Sequence, residues 1–342
     1  MSEFRQDIVT KEWVLIAPSR SGRPNEFHTE EATPADLPEV LESCVFCPGS
    51  EAQTPAPIAT YPSLGAWKIR VVPNKFGVLT LEQQVPKRDF YVRLPGIGSH
   101  EVIITRPHNR PVALLAVEDV DLMLQVYIDR INELEKHESV KYVHIIQNHG
   151  KLGGASLTHP HSQVFAMPFL GPHIQQELRG SSSHYDIFDQ CLYCEILRHE
   201  RSGKRRLIFE TAHFVVICPF ESKMAYQMRI MPKRHEANFN HITREERQDL
   251  AAVLKSSLRL LHDKLKNPSY NFYLHTMPFL RSKNVNHNEE AYHWHLVILP
   301  RINIWAGLEL GTEIYVNTIP PEQAAEYVGR LKAEKRYQRD VY

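Results

Sequence analysis

The sequence predicts an α+β fold made of two similar halves. A set of chemical features occurs twice in one order, and two amphipathic helices sit at matching places within it. A chain of 342 residues is long for one core and natural for a duplication. The two repeats are expected at 1–170 and 171–342.

Each half opens on a Cys-x-x-Cys pair, "CVFC" (Cys44, Cys47) and "CLYC" (Cys191, Cys194). In the first half the strand-like "WKIRVVPNKF" and "HEVIITRPHNRP" follow, the latter containing His108. The spacing of Val120, Leu124, Tyr127, Ile131 and Leu134 then predicts a helix within "VEDVDLMLQVYIDRINELEKHE". The strand "YVHIIQNHG" and the segment "HPHSQVF" complete the unit. In the second half "HFVVICPFES" and "YQMRIMPKRHEANF" lead to His235. The next helix opens on a Thr243…Glu246 capping box and aligns Leu250, Leu254, Leu258, Leu261 and Leu265. "NFYLHTMPF" and "HWHLVILP" close it, and "GPHIQQELRGSSSHYDIFDQ" reads as the connector between halves. Two ordinary α+β units could resemble each other by chance, but chance explains the recurring Cys-x-x-Cys, single His and His-x-His poorly.

Composition narrows the class. Forty basic side chains balance forty acidic ones, which gives no electrostatic footprint for nucleic acid or an anionic membrane. No apolar run approaches the roughly 20 residues of a membrane helix. The charged opening "MSEFRQDIVTKEW" lacks an apolar signal region, so a cytoplasmic protein is expected. In a reducing compartment the two cysteine pairs point to metal rather than to structural disulfides. A thioredoxin-like role is disfavoured because neither pair lies between a clear strand and its following helix.

Thiolate and imidazole suit zinc, which prefers four tetrahedral ligands. Cys44, Cys47, His108 and one histidine of "HPH" form one candidate set; Cys191, Cys194, His235 and one of "HWH" form the other. With every position taken by protein, each Zn2+ would be structural, leaving no open position to activate water.

In an extended segment His159, His161 and Gln163 point to one face. If His159 holds zinc, His161 is left free. A histidine nucleophile needs one ring nitrogen protonated and bonded, so that the other presents its lone pair. Gln163 can hold a phosphoryl oxygen but cannot carry a proton at neutral pH, which suits exchange between phosphate leaving groups rather than hydrolysis. Gly153, Gly154, Ala155 and Ser156 would let backbone N–H groups approach phosphate oxygens. The second half has Val297 where that amide would be, so one active centre per chain is expected.

These residues resemble the galactose-1-phosphate uridylyltransferases, a duplicated branch of the histidine-triad superfamily, nearly end to end. "QNHGKLGGASLTHPHSQV" is similar to the family signature. The resemblance implies that Asn148, Gly154, Ser156 and Gln163 bind phosphate, that His159 completes the ligand set of Cys44, Cys47 and His108, and that His161 is the nucleophile. "DIVTKEWVLIAPSRSGRP" resembles its opening strand and arginine pair, implying phosphate contacts from Arg20 and Arg23. "VVPNKFGVL" implies that Asn74 and Phe76 lie near base and ribose. Common members have Gly or Cys where Ser162 stands, and a carboxylate with histidines in place of the second Cys-x-x-Cys. The C-terminal stretch resembles a sister group that includes ADP-glucose phosphorylases; Glu309 falls at a hexose-contacting glutamate, while Tyr315 replaces a sugar-contacting glutamine. His293, the repeat counterpart of His159, is the favoured fourth ligand of the second site. The implied fold is a duplicated histidine-triad-like one, two mainly antiparallel sheets each with a packed helix. A homodimer with the active site near the subunit interface is also implied.

The expected activity is UDP-glucose–hexose-1-phosphate uridylyl transfer by ping-pong through His161, acting on a nucleotide sugar and a sugar 1-phosphate. The alternative is an ADP-glucose phosphorylase, with phosphate as acceptor and the same type of intermediate. A hydrolase is disfavoured because a histidine would be expected at Gln163. A zinc-clipped RNA-binding module is disfavoured by the charge balance and the lack of aromatic-basic stripes.

Overall fold

The computed structural model describes residues 2–19, 37–62, 67–80, 90–91, 93–279 and 288–329. In the first half, strands β3 (Ala59–Tyr61), β4 (Ile69–Pro73) and β5 (Ser99–Thr105) precede helix α1 (Val117–Glu135). β6 (Tyr142–His149) and β7 (His161–Met167) follow it. The second half repeats this with β8 (Leu207–Glu210), β9 (Phe214–Ile217), β10 (Met228–Pro232), helix α4 (Arg244–Lys264), β11 (Tyr270–His275) and β12 (His295–Pro300).

The five strands of each half form an antiparallel sheet, in the orders β3-β4-β5-β7-β6 and β8-β9-β10-β12-β11. β6 and β11 then pair antiparallel, Asn148 opposite Asn271 and His149 opposite Tyr270, joining both sheets into ten strands. Nothing in the sequence pattern announces that seam.

The two long helices form as the periodicity dictates. Val120, Leu124, Tyr127, Ile131 and Leu134 are all buried along α1. Thr243 accepts from the Glu246 N–H at 3.2 Å while Glu246 accepts from the Thr243 N–H at 2.8 Å, closing the predicted capping box of α4. The helices pack on one face of the sheet and share a single core with Val143, Ile145, Val164, Ala166, Leu296 and Ile298. Arg247 of α4 pairs with Asp121 of α1 at 2.7 Å.

The connector is more structured than its sequence suggests. Residues Pro172–Phe188 form helix α2, with proline in the first turn, and Leu192–Gly203 form α3. α2 buries only Ile174, Glu177 and Ser181, so the usual apolar stripe is missing. A separate small sheet pairs β1 (Glu3–Gln6) with β2 (Trp13–Ile16), and β2 in parallel with β13 (Tyr315–Asn317). Short α5 (Asn288–Ala291), α6 (Gly307–Thr312) and the terminal α7 (Pro321–Gly329) complete the described chain. Among the described residues no helix is long and apolar enough to cross a membrane.

Candidate active site and metal centres

Cys44, Cys47, His108 and His159 converge and are all buried, their donor atoms within 4.8 Å of one another. Cys47 Sγ lies 3.4 Å from His108 Nδ1 and 3.5 Å from His159 Nδ1, and Cys44 Sγ lies 3.6 Å from the latter. Ligand bonds of about 2.3 Å to sulfur and about 2.0 Å to nitrogen at a tetrahedral angle place S and N about 3.5 Å apart. The cluster therefore has the dimensions of a C2H2 metal site. Both rings turn the other nitrogen outward: His159 Nε2–H donates to the Thr105 carbonyl at 2.6 Å, and His108 Nε2 meets Thr158 Oγ1 at 3.3 Å. This is the outer-shell support that orients a ligating imidazole.

The second half repeats the arrangement with Cys191, Cys194, His235 and His293. Cys194 Sγ is 3.4 Å from His235 Nδ1 and 3.5 Å from His293 Nδ1. The His235 and His293 Nε2–H groups donate to the carbonyls of Glu289 (2.9 Å) and Pro232 (3.0 Å). A hydrogen bond from Cys191 pulls the Cys194 thiol down to about 3. The first set lies wholly under the surface, whereas Cys194 and His235 are only half-buried.

His161 begins β7 on the face away from α1. Its Nδ1–H donates to the His159 carbonyl at 2.8 Å, which fixes the tautomer and leaves the Nε2 lone pair for chemistry. Phe46 meets the ring at a steep angle with centroids 5.3 Å apart, and burial holds the His161 pKa below the usual value. The neutral form needed for nucleophilic attack is thus favoured. Behind the strand, Ser162 points to the helix side, bonded to Tyr127 and donating to Gln147 Oε1 at 3.1 Å. Gln163 returns to the open face, its Oε1 2.9 Å from His100 Nε2.

The glycine loop lies at the seam between halves. Gly153 is pressed against backbone: a Cβ there would sit 2.3 Å from the His149 carbonyl oxygen and 2.7 Å from that of Tyr270. Gly154 has φ +79°, a region that favours glycine. Asn271, from the second half, donates to Asn148 Oδ1 and to the Gly153 carbonyl, each at 2.7 Å. Asn148 and Gly154 are adjacent, and Ser156 is exposed. Asn74 and Phe76 line a cleft of about 960 Å³ that also includes His100. Glu309 accepts from the Ala306 N–H at 2.9 Å, at the cap of α6, and among the described residues has no hydrogen bond to those around His161. Arg20 and Arg23 lie outside the described residues.

A third cluster, His173, Glu177 and His275, escaped sequence reasoning. The connector helix supplies the first two at i, i+4 spacing, the one signal that could have exposed it. His275 Nδ1 lies 3.0 Å from Glu177 Oε1, Tyr292 donates to Oε2 at 2.8 Å, and His295 Nε2 lies 3.6 Å away. Burial opposes a charged Glu177, yet His275, His295 and His173 hold it well below the carboxylate range. Burial likewise works against a charged His173, but Glu12 and Glu177 raise it to about 9. The set could hold a cation, and it coexists with the second Cys-x-x-Cys site because His293 faces the thiols while His295 faces the carboxylate.

A duplicated α+β unit whose His-x-His-x-Gln strand starts beside a Cys2His2 cluster places the chain in the histidine-triad class of nucleotidyltransferases. Residues 1–171 match the family described as galactose-1-phosphate uridyl transferase, N-terminal domain, and residues 96–341 match a domain of unknown function, DUF4921. The chain is 32% identical to an ADP-glucose phosphorylase of Arabidopsis thaliana, over 95% of this chain and 91% of that protein. It is 28% identical to a galactose-1-phosphate uridylyltransferase of Thermotoga maritima, over 98% and 100% respectively. The crystal structure of an Arabidopsis thaliana ADP-glucose phosphorylase with bound ADP-glucose superposes with a TM-score of 0.83, at 29% identity, over 96% of this chain and 98% of that one. A structure described as uridylyltransferase gives 0.74 at 28% identity, over 96% and 98%. The chain belongs to the galactose-1-phosphate uridylyltransferase family and is a nucleotidyltransferase of the histidine-triad type.

Proposed function

We propose that the protein is an ADP-glucose phosphorylase, carrying an adenylyl group from ADP-glucose to inorganic phosphate through His161. The observation that carries the chemistry is the His161 Nδ1–H bond to the His159 carbonyl, which leaves Nε2 unprotonated. That lone pair would form a bond to the α-phosphorus as the bridging P–O bond breaks and its electrons leave with glucose 1-phosphate. A phosphate oxygen would then attack the same phosphorus, the P–N bond would break, and ADP would leave with the imidazole restored. Neither step requires proton transfer, consistent with an amide rather than an acid at Gln163.

In this reading Asn148, Gly154, Ser156 and Gln163 contact phosphate, Asn74 and Phe76 face the nucleoside, and the catalytic repeat is 1–170. The Cys44 and Cys191 sites would hold Zn2+ as structural clips. The higher identity and closer superposition of the ADP-glucose phosphorylase support adenylyl over the uridylyl transfer expected from sequence.

The test incubates protein with ADP-glucose or UDP-glucose labelled in the α-phosphate. Label should stay on His161 with ADP-glucose, be discharged by phosphate, and be lost in His161→Gly. Preferential labelling from UDP-glucose with discharge by galactose 1-phosphate would establish the uridylyl reading. No adduct from either would refute the mechanism. Metal analysis should return zinc, and sedimentation should return twice the chain mass for the implied homodimer.

A further inference from the structure

His100 is an imidazole with no assigned role, 8% exposed at the second position of β5. Two contacts fix its ring and a third fixes its backbone. It lies opposite Phe165 in the β5–β7 register and stacks on it, with centroids 4.2 Å apart and planes 26° from parallel. The Val78 N–H donates to Nδ1 at 3.3 Å. Its own carbonyl accepts from the Asn74 N–H at 2.8 Å.

The Val78 and Gln163 contacts call for the same tautomer. A backbone N–H cannot face a second N–H, so Nδ1 is the bare nitrogen and the ring hydrogen sits on Nε2. Burial lowers the His100 pKa, which keeps the ring singly protonated. Nε2–H then donates to Gln163 Oε1 at 2.9 Å. Asn74 Nδ2 is 3.0 Å from the same nitrogen, but Asn74 Oδ1 accepts from the Phe76 N–H at 2.9 Å. Its amide nitrogen is therefore a donor and opposes a hydrogen on Nε2, which the Val78 N–H and Gln163 Oε1 contacts both require.

An amide has two faces of opposite sign. Its NH2 end attracts a phosphoryl oxygen, and its carbonyl end repels one. Nothing in Gln163's own covalent structure selects between them.

We propose that His100 is a positioning residue: it holds the carbonyl end of Gln163 so that the NH2 end meets the reacting phosphate. This rests on the proposed phosphate contact of Gln163. The grip also ties the amide to residues 74–78, the segment proposed to face the nucleoside.

The experiment measures single-turnover labelling of zinc-loaded protein by α-labelled ADP-glucose, in a double-mutant cycle. Gln163→Ala should slow labelling by about 10²-fold, the cost of losing one aimed donor. His100→Ala should slow it by about 10- to 100-fold at saturating nucleotide, acting on the rate more than on half-saturation. Because His100 acts through Gln163, the double variant should label no more slowly than Gln163→Ala alone. His100→Gln, whose amide nitrogen falls near the imidazole Nε2 position, should recover most of the rate; His100→Asn, which is too short, should not.

Multiplying single effects in the double variant would overturn the proposal, as would His100→Ala labelling within twofold of the parent. If His100→Ala does not fold, equal rates for His100→Gln and His100→Asn overturn it instead. A parental rate in Gln163→Ala would refute the phosphate contact itself and is read separately.

Discussion

Gly153→Ala tests the glycine loop at its tightest point. The added Cβ would meet the backbone oxygens of His149 and Tyr270 at 2.3 and 2.7 Å. An ordinary C···O contact is about 3.3 Å, so the loop must move by about 1 Å. Neither obstacle can yield cheaply, because His149 and Tyr270 are paired across the β6–β11 seam. Overpacking of this kind costs about 1–3 kcal/mol, a melting decrease of about 1–4 °C at this size. The catalytic effect should be larger in proportion, since a misplacement of about 1 Å can cost about 10²-fold in rate. Single-turnover labelling with α-labelled ADP-glucose reads the rate, and differential scanning fluorimetry reads the melt. Gly154→Ala is the control: its Cβ would meet nothing nearer than 4.0 Å, and the cost there comes from φ +79° alone, about 1–2 kcal/mol. If Gly153→Ala labels within twofold of the parent while melting normally, the loop does not need its present path and its proposed contact with phosphate is wrong.

Cys47→Ser should lose one metal equivalent and most labelling, because His159, whose carbonyl orients His161, is then no longer clipped; metal analysis of the folded fraction checks this. Cys194→Ser should also lose one equivalent yet retain labelling once folded. Tyr127→Phe removes the hydroxyl bonded to Ser162, which keeps its bond to Gln147, so the cost should be about 1 kcal/mol by urea titration. Glu322 is shared by Arg5 (3.0 Å) and Arg206 (2.7 Å), and despite burial these cations hold its carboxyl below the usual 4.5. Glu322→Gln should cost about 2 kcal/mol at pH 7. A depressed carboxylate stabilises above its unfolded pKa and loses that contribution as pH falls below about 4.5, so the gap between parent and variant should close in acid melts.

What the sequence could show was set by how local each signal is. α1 and α4 were legible because their stripes and the Thr243 capping box lie within single segments. Both Cys-x-x-Cys sites were legible through repetition, with His293 rather than His295 among the thiols. α2 was not, because its central buried residue is Glu177, made tolerable by His275 and Tyr292 about a hundred positions away. His100 was missed for the same reason: its meaning depends on Gln163 across a strand pair. Asn271, in a half otherwise lacking the catalytic pattern, supports the glycine loop only because β11 joins β6.

The repeat supplies its own control for what makes a histidine a nucleophile. His295 donates from Nδ1 to the His293 carbonyl at 3.2 Å, as His161 does to His159 at 2.8 Å, so Nδ1 carries a hydrogen in both rings. Their surroundings differ. His161 keeps 9% exposure and is followed two residues on by an amide. His295 is fully buried, packed by Tyr193 at 5.0 Å, with Nε2 toward Glu177 and Val297 where the amide would stand. An Nδ1 bond to the preceding carbonyl is therefore insufficient; Nε2 must also be reachable by a phosphate, and burying a phosphate beside an ionised Glu177 would be strongly unfavourable. His295→Ala should lower the melting temperature through the cavity and the altered Glu177 cluster, while labelling at His161 proceeds in the folded protein. An adduct on His295, or loss of labelling in folded His295→Ala, would show that catalytic function is not confined to the first repeat.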